Sequence, residues 1–191
     1  MTDHVDAGAN IIRAMQVVRS THREVARMIA ALDELLLARA WEPLAGQSWL
    51  DLTMQGAQLG NPGNWLAGTL HRAYVPFAAA DESKDAARRA IAVYEIQLEP
   101  PGALEPLVTA ARALLQPTTP RKLWDGYKWG PPVPWRRVTT PGRFEIDASE
   151  LTAILPVVTP QSVVVYVEAL ATIDRTNLGA RLVEPVFRSP A

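Results

Sequence analysis

Apolar residues recur at Ile11, Met15, Val18, Val25, Ile29, Leu32 and Leu36, with His22 filling the one missing place. The intervals alternate four and three. That spacing returns a side chain to one face of a helix every second turn, so it fixes a helix over roughly residues 9–39. Ile12, Met28 and Leu35 widen the stripe beyond a narrow coiled-coil seam. A wide stripe packs on the chain's own domain, whereas a narrow one zips onto a partner helix. Both uses are open here: a helix docked on its own domain, or an oligomer seam of Ile11, Met15, Val18, His22, Val25, Ile29, Leu32 and Leu36. A protonated His22 in such a seam would lower its stability as pH falls.

The chain has 191 residues, 48% of them hydrophobic and 20% charged, which suits one well-packed domain. The helix of residues 1–40 reads as a docking or oligomerisation arm. Residues 41–191 read as a single α+β domain. Formal net charge is −1, so no global field draws the protein to nucleic acid or anionic membrane. There is no cysteine, which excludes disulfides, thiolate nucleophiles and cysteine-based zinc or iron–sulfur sites. The polar start "MTDHVDAGAN" does not read as a secretory signal, and no apolar run reaches the length of a membrane helix. A cytoplasmic protein is expected.

Beyond the first helix, Trp41 to Asn64 reads mostly as loop, with a short strand or turn at Trp49–Met54. "NPGN" at Asn61–Asn64 is a turn, and Asn64 caps a short helix from Trp65 to Tyr74 that Pro76 ends. Asp81–Arg89 is a charged connection. Ile91–Glu99 is a strand, with Ala92, Tyr94, Ile96 and Leu98 on one face. Glu95, Gln97 and Glu99 share the other face with Ile91 and Val93, read as solvated. "PPG" at Pro100–Gly102 stops the strand. A helix over about Ala103–Leu115 follows, with Leu104, Leu107, Val108, Ala111 and Leu114 as its stripe. A short strand at Phe144–Ile146, a helical turn capped by Asp147 or Ser149, a central strand over Ser162–Ile173 and an edge strand at Arg181–Phe187 complete the chain. The order implies an α+β fold: a long N-terminal amphipathic helix, a mostly antiparallel sheet and one or two further helices.

One segment concentrates charge and aromatics. Residues 116–143 hold six cations against the single acid Asp125, while the segments on either side are acidic. Inside it, "LWDGYKWGPPVPWRRV" offers Trp124, Tyr127, Lys128, Trp129, Trp135, Arg136 and Arg137 as candidate binding residues. Tryptophan, tyrosine and arginine are the residue mix of protein-interface hot spots. The same rings could roof the sheet, or stack on single-stranded bases while the cations hold phosphates.

Enzyme motifs are sparse. There is no GxxxxGK[ST] loop, and Gly56, Gly60, Gly63 and Gly68 are too widely spaced for GxGxxG. "GQSWL" lacks the second glycine of a nucleophile elbow. Only His4, His22 and His71 are available as imidazoles, with no HExxH, so neither metal nor cofactor is expected. His71 and Arg72 sit together and could hold an anion, though Arg72 more often stacks on Trp65 or pairs with an acid at the helix edge. Glu95 and Glu99 could serve metal-dependent phosphodiester cleavage. The sequence therefore points first to an intracellular protein-interaction protein, a regulator or a subunit of an assembly. A metal-dependent phosphodiesterase comes second and a single-stranded nucleic-acid binder third.

Overall fold

The computed structural model describes residues 3–51, 69–77, 90–98, 100, 102–114, 138–147, 149 and 163–188, with the side chains of 3–7 and 45–51 left aside. Helix α1 spans Asp3–Leu37. Six strands follow: β1 Trp41–Asp51, β2 Thr69–Pro76, β3 Ala90–Gln97, β4 Leu107–Leu114, β5 Gly142–Ile146 and β6 Val163–Ala169. They form one sheet in the order β1-β2-β3-β4-β6-β5, antiparallel throughout. A 3₁₀ turn at Leu170–Thr172, a π-helical turn at Gly179–Val183 and the short helix α2, Glu184–Arg188, close the described chain. This is the α+β architecture expected from the sequence.

Several elements differ from expectation. β2 replaces the end of the helix expected over Trp65–Tyr74, and β4 replaces the helix expected over Ala103–Leu115. Leu107, Val108, Ala111 and Leu114 sit at helical intervals, but they also lie on the two faces of a strand that is buried on both sides. Such a strand shows no polar alternation to identify it. β1 occupies ground expected to be loop, its register shifting between Pro43 and Ser48. Arg181–Phe187, expected as an edge strand, is helical instead. Pro185 lies inside a continuous helical run, directly after the π-helical turn, the kind of irregularity that accommodates a missing backbone N–H. β6 stops at Ala169, short of Ile173, and pairs on both sides. The turn after Leu98 fits its sequence. Ala103 N–H donates to the Pro100 carbonyl at 3.2 Å, and Gly102 takes a φ of 77°.

Each face of the sheet has its own core. On one, the buried residues include Leu44, Ala73, Val75, Ile91, Val93, Leu107, Ala111, Val163, Val165 and Val167. On the other, Leu70, Tyr74, Tyr94, Ile96 and Val108 pack with Val25, Leu32 and Leu36 of α1 and with Leu178, Leu182, Val183 and Val186. α1 leads into β1 through Ala40, whose φ of 62° is left-handed, and the Ala40 carbonyl accepts from Phe77 N–H at 2.8 Å.

α1 is much longer than the sheet it packs on. Its 35 residues extend about 50 Å. An eight-residue strand such as β3 covers about 27 Å. The C-terminal half docks, and the N-terminal half overhangs.

Candidate functional site

The overhang carries the first candidate site. Along the stripe that defines α1, Val25, Leu32 and Leu36 are buried and Ile29 is half-buried in the protein's own core. The same stripe continues through Val18 and His22, both half-buried, to Ile11 and Met15, which are 65% and 46% exposed. Ile12 and Val17 are also exposed. Seven large apolar side chains are exposed among the described residues, and four of them fall between positions 11 and 17. Scattered exposed apolar residues are ordinary, but a cluster on one helix segment marks a contact surface. Most helical stability in proteins comes from packing an amphipathic face, so the segment gains from being covered.

Beside the docked half of α1 lies a cleft of about 830 Å³. Its second wall is Pro106 and the segment Leu170–Leu178, and Met28, Ala31, Leu170 and Ile173 make it largely apolar. Val17, Thr21, Glu24, Met28 and Ala31 follow one another at intervals of four and three. One line of side chains therefore runs from the overhang into the cleft.

A polar cluster holds α1 to the sheet. Arg72 Nε and Nη2 donate to Asp33 Oδ1 and Oδ2, both at 2.7 Å, and Tyr74 Oη–H donates to Oδ1 at 2.6 Å. The Arg72 and Asp33 side chains are 20% and 32% exposed, so the pair is only partly screened by water. Arg72 also lies 5.8 Å from the Tyr74 ring centroid. Burial, then the hydrogen bond to Asp33 and its charge, push the Tyr74 phenol well above its ordinary range. Tyr94 packs edge-on against Tyr74 at 5.7 Å, and burial raises its phenol as well. Among the described residues the Tyr94 hydroxyl has no hydrogen-bond partner.

The two tyrosines therefore make opposite predictions. Tyr74→Phe removes a bond to a charged acceptor and should lower unfolding free energy by about 1.5–3 kcal/mol. Tyr94→Phe removes an unsatisfied hydroxyl and should leave stability unchanged or raise it by up to about 1 kcal/mol. Urea denaturation of the two variants checks both; equal losses would reject the assignment.

The opposite sheet face carries a buried polar row that the sequence reading did not assemble. His71 pairs in register with Glu95, and Glu95 with Thr109. All three, with Gln97 on the same face of β3, are buried, and Glu95 is 0% exposed. The expectation that Glu95 and Gln97 lie on a solvated face is thus corrected: the face is core. Directly opposed residues have Cβ atoms about 4.5–5.5 Å apart, so an imidazole, a carboxylate and a hydroxyl lie side by side across three strands. In kind, this is a proton donor–acceptor set. Gln97 Nε2 and Thr109 Oγ1 have no hydrogen-bond partner among the described residues. No group of three or more His, Cys, Asp or Glu among those residues could hold a metal.

His71 and Arg72 do not come together as the alternative anion site. On a strand, adjacent side chains point to opposite faces, so Arg72 meets Asp33 while His71 faces the other core. Glu99 lies outside the described residues. So do Trp124, Tyr127, Lys128, Trp129, Trp135, Arg136 and Arg137. No helix among the described residues is long and apolar enough to cross a membrane. No family model, no curated protein and no solved structure matches the chain.

Proposed function

We propose that the protein works by docking to other protein surfaces, as a regulator or a subunit of an assembly, and that the overhanging half of α1 is its principal contact. The observation that carries this reading is the exposure of Ile11, Ile12, Met15 and Val17 on a helix whose other half is core. A soluble monomer gains nothing by holding such a segment in water, whereas covering it removes apolar surface from solvent. The segment 123–137 would supply a second contact, on the strength of its tryptophans and arginines.

The test separates contact from core. Ile11→Glu combined with Met15→Glu should abolish association in analytical ultracentrifugation or with a purified partner. The thermal midpoint should move by less than about 2 °C, because surface changes away from packed groups cost little. A large fall in midpoint, or association that survives both substitutions, would overturn the reading.

A further inference from the structure

We infer that Arg112, set between the rings of Trp41 and Phe187 with Arg39 beside it, is a binding site for the phosphate group of a small-molecule ligand. The inference is independent of any docking by α1. Arg112 stands in β4 and pairs in register with Ala92 of β3. Ala90 and Ala92 are small and fully buried in the same core as Trp41, so the long side chain has room to lie across them toward β1. Its guanidinium carbon lies 5.9 Å from the Trp41 ring centroid and 5.7 Å from that of Phe187. The two rings meet edge-on at 4.9 Å.

What this guanidinium lacks is a counter-ion. Arg112 forms no ion pair among the described residues, and its Nε is buried without a hydrogen-bond partner there. Burial pulls its pKa below the ordinary guanidinium value. A cation drawn out of water without an acid costs stability, and stacking on the rings offsets part of that cost. A rule of good packing broken at one such point marks a group kept for use. The acid that could have answered Arg112 is already taken. Glu184 accepts from Arg39 through Oε1 and from Arg188 through Oε2, the second at 3.1 Å. Arg39 also lies over the Phe187 ring, at 5.6 Å from its centroid.

Three arginines thus share one carboxylate, and two positive charges are left over. A phosphate monoester carries about 1.5 to 2 negative charges at pH 7, whereas a carboxylate carries one. The excess therefore matches phosphate, and the planar fork of arginine matches its oxygens. Arg112 is half-buried with Nε inside, so its terminal nitrogens are the part that a ligand reaches. Arg39, whose side chain is 39% exposed, would turn from Glu184 to the same phosphate, while Arg188 keeps hold of the glutamate.

The test uses the full chain and inorganic phosphate at constant ionic strength, balanced with sodium chloride, with sodium acetate as the comparison anion. Phosphate should shift the Nε–H signal of Arg112 saturably in a proton–nitrogen correlation spectrum, and acetate should bind several-fold more weakly. Arg112→Met keeps much of the stem and removes the fork. It should weaken phosphate binding, read from the backbone amides of Trp41 and Phe187, at least about tenfold. Glu184→Gln should tighten binding, because it frees Arg39 from a competing carboxylate. An arginine that only packs between rings predicts neither change. Circular dichroism confirms that each variant is folded; if Arg112→Met is not, the Arg112 signal of the unaltered chain and Glu184→Gln decide. No saturable shift at Arg112, or phosphate binding that survives Arg112→Met, would overturn the site. Acetate binding as tightly as phosphate would overturn the choice of ligand, and an affinity that Glu184→Gln fails to raise would overturn the part given to Arg39.

Discussion

Leu36→Ala should lower the free energy of unfolding by about 2–5 kcal/mol, the range for truncating a buried leucine. Leu36 is 0% exposed, in the last turn of α1, packed in the core with Leu32, Tyr74 and the helical C-terminal segment. Its neighbours are fixed by the sheet, so the space left by the side chain cannot close fully. For a chain of this size that loss is a fall of about 5–15 °C in midpoint. The same substitution at Ile11, seven places earlier on the same heptad-spaced stripe, should change the midpoint of the monomer by almost nothing, because Ile11 is 65% exposed. Thermal melts at low protein concentration check the contrast. Comparable losses at both positions would mean that the overhang is packed and that α1 is one cooperative unit. The predicted asymmetry is the energetic form of the division into an anchored half and a docking half.

That division was only partly legible in the sequence. The 4-3 spacing of Ile11 to Leu36 fixes a helix whatever covers it, and both halves of the stripe look alike in one dimension. What separates them is where the sheet ends. Alternation exposed β3, and the β-branched run exposed β6. β2 and β4 stayed hidden because their apolar residues do not alternate with polar ones, and "LVTAARAL" satisfies a helical stripe as well as a strand. The cost of misreading those two strands falls on the candidate sites. The row His71–Glu95–Thr109 exists only through the registers of β2, β3 and β4. The Asp33–Arg72 pair joins residues 39 positions apart and has no local signal. Of the two structural roles expected for Arg72, pairing with an acid is found, at Asp33, while stacking on Trp65 falls outside the described residues and the ring near Arg72 is that of Tyr74.

Alkaline conditions should unfold the protein through its buried phenols. Tyr74 and Tyr94 are both raised above the ordinary phenol value, the first by burial and then by its hydrogen bond to Asp33, the second by burial. In the unfolded chain the same groups lose their protons near pH 10. Below that pH neither state ionises, and the stabilisation is fully present. Above it the unfolded chain releases protons that the native state retains, so stability falls as pH rises toward the folded-state values. Each phenol contributes about 1.4 kcal/mol per pH unit in that window, and two contribute about 2.7. Between pH 10 and 12 the loss is a substantial part of the stability of an ordinary domain. Urea denaturation from pH 8 to pH 11.5 should therefore show a plateau and then a steep decline. Tyr74→Phe and Tyr94→Phe should each remove about half of the slope, although they differ in sign at neutral pH. A flat profile above pH 10, or a slope that neither substitution changes, would place these rings in contact with water and detach α1 from the sheet face that they line.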